Sequence, residues 1–87
     1  MKKIEGLDKA EMKMIIDVLE HTEKATVKDI RIIDKICKVF EQAEGGAVEL
    51  EDTDHVYMSQ KLQGFNGWLA NEKARGIILS LAEKLGL

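Results

Sequence analysis

At 87 residues, 45% hydrophobic and 33% charged, the chain is expected to form a single globular domain, 1–87, that buries roughly 60–65% of its unfolded surface; this composition excludes a disordered chain. The net charge of −3 argues against non-specific nucleic-acid binding, which needs a dense cationic face. The single cysteine, Cys37, excludes an internal disulfide, and no apolar run approaches the length of a membrane span, so the expectation is a cytoplasmic chain that does not enter a membrane.

The opening "MKKIEGLDKAEMK" has lysines but not the apolar run of a secretion signal, and residues 1–6 are expected to be loose. Leu7, Ala10, Met14, Ile15, Val18 and Leu19 recur at steps of three and four and predict a helix from about Leu7 to Leu19. Asp8 and Glu11 fall in its first turn, where carboxylates suit the helix dipole. Thr26 with Asp29 forms a capping pattern that opens a second helix, which runs to about Ala43 and stops at Gly45-Gly46. Its apolar residues spread widely: Val27, Ile30, Ile33, Cys37 and Phe40 on one side, Ile32, Ile36, Val39 and Ala43 around the flank. Such a helix is central to a small fold or faces both a core and a partner.

Val48 and Leu50 alternate with Glu49 and Glu51, the pattern of a short extended segment near 47–51. A third helix is expected from about Asp54, capped by Asp52 or Thr53, with Tyr57, Met58, Lys61, Leu62 and Phe65 at helical spacing. Asn66-Gly67 reads as a turn. Asn71 is the expected cap of a last helix carrying Ala74, Ile77, Ile78, Leu81, Ala82 and Leu85, with Gly86 behind it. The fold class that follows is mainly all-α: a compact bundle of three to four short helices with one short extended segment.

Four groups of residues are candidates for function. "GFNGW" places Phe65 and Trp68 around a turn, which reads first as two rings closing the end of a bundle and second as a contact point. Between Lys38 and Lys61 the chain has no lysine or arginine, while Glu41, Glu44, Glu49, Glu51, Asp52 and Asp54 fall inside, followed by His55. Solvated loop and helix-start charge accounts for these acids. A patch for a basic partner is the functional alternative, and the spacing matches no calcium loop. Cys37 lies among Ile33, Ile36 and Phe40 without a base in reach, which reads as core rather than nucleophile. Lys24, Lys28, Arg31, Lys35 and Lys38 line the outer face of the second helix, as a recognition helix would, but Asp29 and Asp34 interleave with them.

"KDIRIIDKI", the two glycines, "VELEDTDHVYMSQKL" and "GW" together resemble the small orphan helical proteins encoded by tailed bacteriophages. The similarity covers the second helix and the second half of the chain, as a pattern of hydrophobic and acidic residues. It implies a small helical accessory protein acting in the host cytoplasm and carries no functional residue across.

The expected function is non-enzymatic, with no cofactor and no metal: a protein–protein interaction module that binds itself, as a homodimer, or another protein. Its expected contact residues are Ile32, Ile36, Val39 and Trp68 with the acids Glu49, Glu51, Asp52 and Asp54. Two alternatives stay open, an acidic inhibitor or regulator of a nucleic-acid-processing protein and a helix-turn-helix DNA binder.

Overall fold

The computed structural model describes residues 1–87. In chain order the elements are strand β1 (Lys2–Ile4), helix α1 (Lys9–Glu20), helix α2 (Val27–Glu41), strand β2 (Val48–Leu50), helix α3 (Asp52–Gln63), a 3-10 turn (Asn66–Leu69) and helix α4 (Glu72–Leu85). Four helices and one two-stranded sheet make the protein mainly α-helical, with its extended segment where Val48 and Leu50 alternate with glutamates. The radius of gyration, 12.2 Å, is that of a compact chain of this length, about 12 Å.

Three of the four helices begin on a side-chain cap. In α1 the Asp8 carboxylate accepts from the Glu11 N–H at 2.7 Å while the Glu11 carboxylate accepts from the Asp8 N–H at 3.0 Å. In α2 the Thr26 hydroxyl accepts from the Asp29 N–H at 3.2 Å, and the Asp29 carboxylate accepts from the Thr26 N–H at 2.9 Å. In α4 Asn71 accepts from the Ala74 N–H at 2.8 Å. Helix α3 departs from expectation. It starts at Asp52 behind Glu51, and no side chain caps it. The carboxylates of Glu51 and Asp54 are turned instead toward Lys35.

The amino-terminal residues are not loose. β1 pairs antiparallel with β2, with Lys2 opposite Leu50, Lys3 opposite Glu49 and Ile4 opposite Val48. Ile4 is buried, because period-two alternation turns it, with Val48 and Leu50, onto the helices and turns Lys3 away; Lys2 shares the Ile4 face but lies exposed at the end of the strand. The turn into β2 requires glycine. Gly46 has φ +75°, and a Cβ there would lie 2.2 Å from the Leu7 carbonyl oxygen. That closeness lets the Leu7 N–H donate to the Gly46 carbonyl at 3.1 Å, which joins the α1 entry to the β2 entry.

Ile4, Ile15, Leu19, Ile36, Leu50, Met58, Leu62 and Leu81 form the fully buried centre. α1 packs against α3, α2 against β2 and α1, and α4 against the 3-10 turn. The aromatic elbow is the joint between α3 and α4. Trp68 is buried, its indole N–H donates to the Leu62 carbonyl at 2.7 Å, and Phe65 meets it edge-on with centroids 5.3 Å apart.

Gly46→Ala is expected to destabilise the protein by about 1–3 kcal/mol, from the positive φ and the collision with Leu7. Urea unfolding measures it. A variant as stable as the wild type removes the constraint assigned to this turn.

Candidate functional site

Of the expected apolar contact residues, two are core. Ile36 is completely buried, and Trp68 is buried with its only donor already used. Ile32 and Val39 are half-buried against the core cluster. The flank therefore packs largely inward at Ile36, while Ile32 and Val39 each keep a partly exposed side. On the other side of the helix, Val27 and Ile30 are 66% and 56% exposed, while Phe40 is buried. Cys37 is half-buried, and burial pushes its thiol pKa up, as do Glu20, Glu41 and Asp34.

The acidic segment is largely engaged within the molecule. Lys35 reaches Glu51 at 2.9 Å and the buried carboxylate of Asp54 at 3.1 Å. Those hydrogen bonds raise the Lys35 ammonium pKa, Glu51 first and Asp54 second. Asp52 lies 3.8 Å from the terminal amine, and Glu49 stands opposite Lys3 in the sheet. No three His, Cys, Asp or Glu side chains are arranged to hold a metal ion. Of the basic stripe, Lys35 and Lys38 are in ion pairs, the latter with Asp34 at 2.9 Å, while Lys24, Lys28 and Arg31 are in none.

The open surface lies elsewhere, along α3. A cavity of about 550 Å³ separates α3 from the start of α2, walled by Lys28, Asp29, Ile32, Val56, Tyr57 and Gln60 among others. A second, of about 340 Å³, continues toward Phe65, where Lys61 and Phe65 face His21 and Glu23. The two share Gln60 as a wall and both lie along α3; together they are referred to as the α3 furrow. Val56 is 53% exposed on it, and Ile32 lies half-buried in its wall.

Tyr57 is the least settled residue in this furrow. Its hydroxyl is buried and makes no hydrogen bond of good geometry, although the Asp29 carboxylate is its neighbouring acceptor. The nearby Asp29 carboxylate is already engaged by the Thr26 N–H and, at 3.0 Å, by the Thr26 hydroxyl, which together hold its pKa down. Burial raises the Tyr57 phenol pKa, and the charge of Asp29 adds to the rise. The Lys61 ammonium sits over the Tyr57 ring, 5.4 Å from its centroid. Tyr57 was legible in the sequence only as a member of a helical stripe, and Val56 gave no signal, because its exposure depends on how far α2 stands from α3.

A second polar cluster is structural. Glu11 is almost fully buried on α1, accepts from the Ser80 hydroxyl at 2.8 Å and pairs with the Lys84 ammonium. Burial alone would raise its pKa. Lys84, the Asp8 N–H and Ser80 together outweigh that and hold it below the ordinary carboxylate value. Sequence reading took Glu11 only as a first-turn acid, since Ser80 and Lys84 lie on the last helix.

No protein-family model, curated protein or solved structure matches the chain. No helix is long and apolar enough to cross a membrane.

Glu11→Gln is expected to destabilise the fold by about 1.5–3 kcal/mol at neutral pH, the range for hydrogen bonds to a charged group. A carboxylate with a depressed folded pKa adds stability above its unfolded pKa, and that stability is lost as pH falls through the folded value. Urea titrations from neutral to acid pH should therefore show the difference between wild type and variant shrinking toward the acid limit. A difference that stays constant would contradict the ionised state assigned to Glu11.

Proposed function

We propose that this protein is a non-enzymatic protein-binding module, and that it takes a segment of another chain along the α3 furrow. The observation that carries the reading is the Tyr57 hydroxyl, buried in the furrow wall without a hydrogen bond of good geometry. A buried polar group left unpaired costs about 1–3 kcal/mol. A carbonyl or carboxylate on a bound segment supplies a well-placed acceptor, and an apolar side chain of that segment covers Val56 and Ile32. A furrow with an apolar wall and a few polar groups is the usual form of a helix- or peptide-binding groove.

The reading moves the contact surface from the flank of α2 to α3 and gives no role to Ile36 or Trp68. It also favours a protein partner over nucleic acid, because Lys35 and Lys38 are held in ion pairs and the remaining bases of α2 are few. What supports the acidic-inhibitor alternative is reduced in the same way, since Glu51 and Asp54 are engaged with Lys35. A host-cell accessory role rests on the phage resemblance of the sequence pattern.

The test is site-specific photocrosslinking in cells, with the crosslinking residue at position 56 in the furrow or at exposed position 13 on α1. A discrete protein adduct from position 56 and none from position 13 is expected. Tyr57→Phe should leave the free protein at least as stable, because it deletes an unpaired hydroxyl, yet should weaken that adduct. No adduct at position 56, or one indifferent to Tyr57→Phe, would overturn the reading.

A further inference from the structure

The charges around the furrow point to a particular occupant. Of the carboxylates that line it, only Asp54 is in an ion pair, with Lys35; Asp29 is hydrogen-bonded by Thr26 but keeps its charge, and Glu23 has no partner. Its two lysines, Lys28 and Lys61, are in no ion pair. The furrow therefore offers two ammonium groups and two carboxylates outside any ion pair, with an apolar strip at Val56 and Ile32.

The outward face of α4 is its counterpart. Glu72, Gly76, Leu79 and Glu83 follow one another at steps of four, three and four, so they form one stripe along the helix. Leu79 is 68% exposed, in the middle of a stripe that a monomer would be expected to make polar. Glu72 and Glu83 are exposed and in no ion pair. So is Arg75, which stands one turn before Leu79. This face offers two unpaired carboxylates, one unpaired guanidinium and a central leucine. Gly76 adds no side chain, so the helix can approach closely. Eleven residues separate the glutamates, roughly 16 Å of helix, and α3 beside the furrow has a similar length, roughly 18 Å.

We propose that the occupant of the α3 furrow is the α4 outer face of a second copy of this chain. Leu79 of one copy covers Val56 and Ile32 of the next, Glu72 and Glu83 meet Lys28 and Lys61, and Arg75 meets Glu23. The inference rests on the furrow being a binding surface and names its partner. The contact joins two different patches, so it is head-to-tail, and it grows beyond two copies unless a ring closes. It differs in kind from a two-fold dimer through α2. Opposite charges on its rim make it sensitive to salt.

The experiment is sedimentation of the full chain with two variants. The wild type should run above its monomer mass of 9.8 kDa at low salt and lose mass as salt is added. Val56→Glu blocks the furrow and leaves the α4 face. Leu79→Glu blocks the α4 face and leaves the furrow. Each should stay helical by circular dichroism, since both side chains are exposed, and should weaken association roughly tenfold or more, as removal of a central contact residue does. An equimolar mixture of the two should form a 1:1 heterodimer, because it keeps one intact contact. If either glutamate variant loses helix, Val56→Ser and Leu79→Ser replace the pair. A wild type that is monomeric near its solubility limit, a Val56→Glu variant that still associates, or a mixture that stays monomeric each overturns the proposal. Failure here together with a position-56 adduct to a different protein leaves the furrow as a binding surface, whereas absence of any adduct removes both.

Discussion

Glu11 carries a carboxylate that folding takes out of water, and the ammonium that neutralises it arrives from 73 residues away. An ionised group buried without its partner is destabilising by about 3–5 kcal/mol, a large share of the stability of a small domain. The constraint acts on both ends of the chain. On α1 the same carboxylate accepts from the Asp8 N–H and so helps to start the helix. On α4 it holds Ser80 and Lys84, which turns Leu81 and Leu85 into the core. With that side of α4 fixed inward, the stripe of Glu72, Leu79 and Glu83 is fixed outward. The buried pair adds little net stability over an apolar replacement. It sets instead the rotation of α4 about its own axis.

Lys35 does the corresponding work on the other side of the molecule. It bridges Glu51 and Asp54 at the start of α3 to the middle of α2, and Asp54 is buried at that junction. From there toward the start of α2, Tyr57 stands between the two helices and the furrow opens. Asp29 makes its capping bonds to Thr26 through one carboxylate oxygen and stands beside the Tyr57 hydroxyl. Two hydroxyls of α3, those of Tyr57 and Ser59, are buried without a hydrogen bond of good geometry.

The features legible in the sequence are those encoded within one turn of helix. Thr26 with Asp29, Asn71 ahead of α4 and the Val48/Leu50 alternation all depend on neighbours at most three residues away, and they appear in the structure where the spacing puts them. The joint at Phe65 and Trp68 was legible for the same reason. What escaped depends on distant partners. "KKI" becomes a strand only because Val48–Leu50 lies beside it. The side of α2 that faces inward was ambiguous because Ile36 and Ile33 lie on overlapping arcs. The choice of Ile36 and Phe40 as its deepest residues was made by β2 and α1. In the candidate site, the acids at 49–54 were visible as a run of charge. Their engagement by Lys35 and the terminal amine was not, because it requires the middle of α2 and the start of β1 to be placed in space.

The size of the open surface bounds how strongly it can bind. Val56 and Leu79 are both more than half exposed, and covering an apolar side chain completely contributes about 1.5–3 kcal/mol. Pairing the Tyr57 hydroxyl adds about 1–3 kcal/mol. Rim ion pairs contribute roughly 0–1 kcal/mol each and act mainly on orientation and encounter rate. Against these stands the loss of translational and rotational freedom, at least about 4 kcal/mol. The balance describes a contact that forms and dissolves with concentration, not a permanent assembly. For such a contact the arrangement of charges matters more than their sum. Lys28, Lys61, Glu23 and Asp29 around the furrow are in no ion pair, so the proposed occupant must carry both signs of charge in matching places, and specificity of that kind is obtained from mismatch as much as from attraction.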